Sequence, residues 1–184
     1  MKIENDLNYK IVQTFDVQPI VNELSRIGEG IWNADTTRQT SFSPHKHTKS
    51  IFINNVDLQW NGAGYPIKKH TITSMLNQYT DEIVSTLEKH FNGRVGRTLY
   101  INLPAGCEIS KHVDNGYYLM NTHRCHIPIM TNDDVDFYLG EETLNMKAGT
   151  CYEINNAKLH GVNNRGSTDR IHLLIDIIPM SAFK

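Results

Sequence analysis

The sequence predicts a mainly β fold, a sandwich or jelly roll with flanking helices, on three observations. Eight short stretches of strand character crowd into about 85 residues of the C-terminal half, with no helical periodicity between them. Two segments ahead of them carry apolar residues at helical spacing. The composition, 39% hydrophobic and 21% charged over 184 residues, supports one buried core and has no disorder-like bias.

In chain order, YKIVQTF (9–15) reads as a short strand. Asp16 then caps a predicted helix whose Ile20, Val21, Leu24 and Ile27 form one stripe, closed by the Gly-Glu-Gly at 28–30. Residues 33–47 are polar and broken, which predicts a surface loop of the kind that borders a site, and TKSIFINN (48–55) has the branched and aromatic content of a strand. From Ser74 to Phe91, Met75, Leu76, Tyr79, Ile83, Val84, Leu87 and Phe91 recur at helical spacing and Asn92-Gly93 ends the run, so this is the main helix. The strands that follow are RTLYINL (97–103), EISKHVD (108–114), HRCHIPIMT (123–131), DVDFYL (134–139), ETLNMK (142–147), TCYEI (150–154), LHGVNN (159–164) and RIHLLIDIIP (170–179). The sequence shows no internal repeat. One domain over 1–184 is predicted, with 1–93 supplying N-terminal strands and supporting helices and 94–180 the core.

Several function classes are set aside. A net charge of -2 with thinly spread basic residues argues against nucleic acid. No apolar run reaches the length of a membrane span and the N-terminus has no signal-peptide pattern, so a soluble, cytoplasmic protein is expected. Cys107, Cys125 and Cys151 are odd in number and form no Cys-x-x-Cys pair, which predicts reduced thiols rather than disulfides or a Cys-rich zinc site. Nothing in the sequence sets an oligomeric state.

On an extended strand, residues i and i+2 point the same way, so His112 and Asp114 can present an imidazole and a carboxylate to one point. Alone this carries little, since in a chain with 9 His such a pair arises easily by chance. His160, at the start of a strand 46 residues beyond Asp114, strengthens it. Two histidines and one carboxylate leave open positions on a metal, the arrangement of non-haem Fe(II) oxygenases, with zinc as the competing metal. Arg170 begins an otherwise apolar strand ten residues after His160, where a guanidinium is costly unless it meets an anion; an ion pair with Asp176, on the same strand face, is the structural alternative. Arg124 and His126 share one face of their strand, while His123, Cys125, Ile127 and Ile129 share the other. His123 therefore packs or meets solvent, and His172 shares the face of Arg170.

Taken in order, "YINLPAGCEISKHVD", "RCHIPI", "AGTCYEINNAKLHGVNN" and "RIHLLID" resemble the aspartyl/asparaginyl beta-hydroxylase family of 2-oxoglutarate and Fe(II)-dependent oxygenases, over roughly residues 95–180. The resemblance implies a double-stranded β-helix (jelly roll, cupin-like), with His112, Asp114 and His160 ligating iron and Arg170 holding the distal carboxylate of 2-oxoglutarate. It also implies that Arg124 and His126 line the cosubstrate pocket, with Tyr100 on the preceding strand as a further candidate. Reaction with O2 and release of succinate and CO2 follow from the same likeness. The animal members differ in having glycine where this chain has Asp114 and in carrying a helical-repeat region, so this chain looks more like the small bacterial members that hydroxylate free amino acids.

The substrate is expected to be a small molecule or a peptide. Candidate contacts are Arg38, His45 and Thr48 in the polar segment, Asn115, Tyr117 and Tyr118 in a predicted mobile loop beyond Asp114, and His172. His45 and His47 lack a third ligand, and Trp32 and Trp60 read as packing anchors. A non-oxidative cupin-like binding module or isomerase on the same scaffold remains the alternative.

Overall fold

The computed structural model describes residues 3, 6–41, 43–57, 59–63, 67–69 and 74–184; the side chains of 67–69, 74 and 75 lie outside the described residues, Met75 of the predicted stripe among them. Strands β1 (Tyr9–Thr14), β2 (Lys49–Val56), β3 (Ile67–Lys69), β4 (Gly93–Leu103), β5 (Glu108–His112), β6 (His123–Met130), β7 (Val135–Leu139), β8 (Glu142–Leu144), β9 (Thr150–Ile154), β10 (His160–Asn164) and β11 (Arg170–Pro179) form two antiparallel sheets. The larger has the order β1-β9-β6-β11-β4-β2-β3 and the smaller β5-β10-β7-β8. The fold is a mainly β jelly roll. The N-terminal segment is part of it, since β1 pairs with β9 and β2 with β4.

Helices α1 (Gln18–Arg26) and α4 (Ser74–Phe91) cover the outer face of the larger sheet. Pro19 suits the first turn of α1 because the missing N–H has no partner there anyway, and the Gln18 N–H is taken by the Asp16 carboxylate at 3.0 Å. Leu76, Ile83, Val84 and Leu87 of α4 and Ile20 and Leu24 of α1 pack on Ile51, Ile53, Ile127 and Ile171 of the sheet. Each such side chain, once buried, contributes about 1.5–3 kcal/mol.

Strand β11 sits between β6 and β4 and divides its side chains by parity. Ile171, Leu173, Ile175 and Ile177 join the helix-side core, while Arg170, His172, Leu174 and Asp176 point to the interior of the roll. Inside, Leu103, Ile109, Val135, Phe137, Tyr152 and Val162 fill one end between the sheets, and the other end opens as a cavity.

Two expectations on the connections change, and one strand is added. The polar segment 33–47 contains α3 (Thr37–Ser41), begun by the Asp35 carboxylate accepting the Thr37 N–H, and a 3-10 turn at Ser43–His45, after α2 (Glu29–Trp32). The stretch beyond Asp114 contains a one-turn helix, α5 (Tyr117–Met120). Short β3 adds an edge to β2 that no sequence pattern announced. Trp32 and Trp60 are buried as packing anchors, the three cysteines are free thiols, and no described helix is long and apolar enough to cross a membrane.

Candidate active site

Strand pairing brings the two histidines together: β10 runs antiparallel to β5 with His160 opposite His112, their ring centroids 4.4 Å apart. Gly161 permits this approach, since a Cβ there would lie 2.9 Å from the Ile109 carbonyl oxygen and 3.1 Å from Lys111 Cα. Strand β5 stops at His112, and Asp114 two residues on is tied down by its N–H to the Asn156 carbonyl at 3.1 Å. One ligand atom from each of His112, Asp114 and His160 lies within 4.8 Å of the others, the one such group among the described residues. His112 Nδ1 lies 2.8 Å from the Ser110 carbonyl and His160 Nδ1 2.9 Å from the Lys158 carbonyl. Each carbonyl can only accept, so each Nδ1 carries the proton and each Nε2 is left as a lone-pair donor. Burial pushes the His160 imidazolium down, and although burial alone would raise Asp114, Arg124 and the two histidines hold its carboxyl below the ordinary carboxylate range.

Arg124 stands in the cavity wall as predicted, but its donors are taken by two carboxylates of the protein. Its Nε and Nη2 donate to the two oxygens of Asp176, each at 2.8 Å, and its Nη1 donates to Asp114 Oδ2 at 2.5 Å. Tyr118 is fully buried rather than on a mobile loop: its hydroxyl donates to Asp176 at 3.1 Å and accepts the Arg97 N–H at 2.8 Å. Gly96 makes the room, since a Cβ there would meet the Tyr118 hydroxyl at 2.5 Å. Tyr118, Asp176, Arg124 and Asp114 thus form a continuous chain of hydrogen bonds ending on one oxygen of the central carboxylate.

Because Arg124 holds Asp176, the alternative pairing of Asp176 with Arg170 does not form. Arg170 is 1% exposed, has no carboxylate within ion-pair distance among the described residues, and is pushed down to about 9 by burial. Its Nη2 donates to His172 Nδ1 at 2.6 Å and its Nε has no partner. His172 lies behind it, off the cavity wall, with Nε2 unpartnered. His126 faces the cavity with Nδ1 unpartnered, and burial followed by the charge of Arg170 holds it neutral. Buried polar atoms left without partners this close together call for a ligand that supplies them.

The N-terminal segment does reach the cavity. Arg38 is buried, with Nη1 donating to Thr48 Oγ1 at 3.0 Å and Nη2 3.3 Å from His45 Nε2, and the His45 ring stands edge-on to His112 at 5.1 Å. Burial, then the neighbouring Arg38, lowers His45 to about 2, so its Nε2 accepts from Arg38. Arg38 and His45 line the cavity while Thr48 braces Arg38 from outside it; Asn115 and half-exposed Tyr117 stand in the wall. Tyr100 is not in the site. It points to the opposite face of β4, where its hydroxyl meets Thr80 of α4 at 2.7 Å. His47 is exposed, and His123 packs on the helix side, stacked on Phe91 and bonded to Glu153 at 2.7 Å.

Arg97 escaped the sequence reading although its signal was available: it begins the alternation Arg97, Leu99, Ile101 whose members all line the cavity. Its guanidinium lies over the Phe52 ring at 5.6 Å, and its Nε is buried without a partner. The cavity measures about 480 Å³, within the range of small-molecule sites, and Asp114 is the one carboxylate in its described wall.

A family model described as aspartyl/asparaginyl beta-hydroxylase matches residues 15–179. No curated protein matches the chain. Among solved structures, a prolyl hydroxylase from Trichoplax adhaerens in complex with a hypoxia inducible factor oxygen degradation domain peptide fragment is similar over 97% of this chain and 86% of that one, with TM-score 0.62 and 12% identity. An oxidoreductase of the 2OG-Fe(II) oxygenase family from Burkholderia pseudomallei covers 94% and 85% at TM-score 0.59 and 12% identity. A prolyl-4-hydroxylase from Pseudomonas putida covers 95% and 94% at TM-score 0.55 and 10% identity. At these identities the likeness is one of fold.

Proposed function

Since the chain belongs to the aspartyl/asparaginyl beta-hydroxylase family, we propose that it is an Fe(II)- and 2-oxoglutarate-dependent dioxygenase that hydroxylates an unactivated C–H bond of an amino acid, free or within a peptide. The observation that carries this reading is Arg170, a buried cation with an unpartnered Nε and no carboxylate within ion-pair distance among the described residues, on the same cavity as the His112, Asp114 and His160 cluster. The donor set fits the metal: two imidazoles and one carboxylate suit Fe(II) and leave positions for a chelating acid. The surroundings fit a dicarboxylate, whose far end would satisfy Arg170.

His112, Asp114 and His160 would hold the iron through Nε2, a carboxylate oxygen and Nε2. When bound, iron and 2-oxoglutarate supply the oxidation by O2, with succinate and CO2 released. The protein's own part is positional. Arg124 pins one oxygen of Asp114 and so fixes how that carboxylate presents itself. Arg170 would grip the far carboxylate, and His126, held neutral, offers a ring nitrogen beside it. Leu99, Ile101, Phe137, Val162 and Leu174 present apolar surface that keeps water from the reacting centre.

The test is an anaerobic titration of Fe(II)-loaded protein with 2-oxoglutarate, followed by the visible charge-transfer absorption of a chelated keto acid, with Arg170→Met in parallel. Absorption in the wild type that needs at least roughly tenfold more 2-oxoglutarate in the variant supports the reading. Its absence from iron-loaded wild type would favour a non-oxidative binding protein.

A further inference from the structure

We propose that Arg38 and Arg97 form a second anion site, which recognises the substrate through an acidic group, and that the site reads no amino group. This rests on the dioxygenase reading for the placement of iron and 2-oxoglutarate.

Four guanidinium groups stand in the cavity wall: Arg38, Arg97, Arg124 and Arg170. Arg124 is matched by Asp114 and Asp176, and Arg170 would be matched by the far carboxylate of the cosubstrate. With each anion counted once, Asp176 offsets Arg124, and Asp114 together with the near carboxylate of 2-oxoglutarate would balance the 2+ charge of iron. Arg38 and Arg97 then remain, with no carboxylate within ion-pair distance of either among the described residues. Arg38 bonds only to neutral groups, Thr48 and His45. Arg97 rests on the face of Phe52 and buries an unpartnered Nε. Two unmatched cations on one cavity are costly, and burial followed by the Arg97 charge pushes the Arg38 guanidinium well below its ordinary range. A carboxylate or phosphate placed between them removes that cost, because planar guanidinium groups bind such anions at two points.

The same described wall has no free carboxylate for an ammonium. Its one carboxylate, Asp114, is engaged by Arg124 and by the metal cluster, and besides the arginines the remaining described polar side chains are histidines, the amides of Gln59 and Asn115 and the hydroxyl of half-exposed Tyr117, none of them an anion. A free α-amino group would face two like charges. It must therefore point out of the cavity or be absent, and masking it costs no affinity. The substrate class is an organic acid of net negative charge, an N-acylated amino acid or an acidic side chain of a peptide included.

The experiment is calorimetry on protein loaded with Mn(II) and 2-oxoglutarate under nitrogen. The probes are inorganic phosphate, N-acetyl-L-glutamate, N-acetyl-L-leucine, L-leucine, L-leucinamide and a capped tripeptide with one central glutamate. The acids bind, N-acetyl-L-leucine at least as tightly as L-leucine, and L-leucinamide does not; Arg97→Gln weakens the acids by roughly tenfold or more, and Arg97→Lys restores part of the loss. Binding of the tripeptide rather than free N-acetyl-L-glutamate identifies a peptide as the source of the acid, and the reverse a metabolite. Binding of L-leucinamide as tight as that of the acids, no binding of any acid, or acid binding indifferent to Arg97→Gln overturns the proposal. If 2-oxoglutarate fails to bind the wild type while acids bind through Arg97, the dioxygenase reading falls and the anion site stands.

Discussion

Asp114 is held by a guanidinium that is itself held by a second, fully buried carboxylate, Asp176, so removing Arg124 strands two anions at once. Arg124→Met is expected to cost about 3–5 kcal/mol of stability in urea denaturation and to weaken Fe(II) binding along with it. Tyr100 gives the contrasting case. Thr80 gives its own proton to the Leu76 carbonyl, so the Tyr100 hydroxyl is the donor between them. Tyr100→Phe should therefore cost about 1 kcal/mol and leave 2-oxoglutarate affinity unchanged. The proposed duty of Arg170 was legible because a charge on an apolar strand is conspicuous in one dimension. The duty of Arg124 was not, because its partner is set by cross-strand register: Asp176 lies directly opposite Arg124 on the neighbouring strand.

At the level of elements, the C-terminal strands were readable because a half-buried strand repeats every two residues, and β11 shows what the repeat accomplishes by placing isoleucines on the helix side and Arg170 on the cavity side. Helices α2, α3 and α5 are four or five residues long, too short to display a 3.6-residue period, and the Asp35 turn that begins α3 looks like loop chemistry. The close packing of β5 on β10 is equally invisible in sequence but testable. Gly161→Ala forces the two strands apart, with an expected loss of about 1–3 kcal/mol and weaker metal binding by equilibrium dialysis, while Gly161→Ser should be no better tolerated.

For the whole molecule, the buried histidines set the response to acid. His126 and His172 have folded-state values well below the ordinary histidine value, first because of burial and next because of Arg170. Below about pH 6.5 the unfolded chain takes up protons on these rings that the folded chain refuses, so stability is lost as pH falls through that point, by up to about 1.4 kcal/mol per pH unit for each. Metal-free protein should show a urea midpoint that drops between pH 7.5 and 5.5, with a shallower slope in His172→Asn. Asp114 acts in a lower window: its depressed value adds stability above the ordinary carboxylate range that disappears only in stronger acid. The pairing of His160 with His112 also sets a timetable. A chain emerging from the ribosome carries His112 and Asp114 before it carries β10, and two of the three proposed ligands on an unpaired segment would grip iron weakly. On the proposed function, the redox-active metal would thus be admitted only after β10 has paired, when the apolar walls are already in place, and the half-made protein would be spared the oxidant that the finished one would contain.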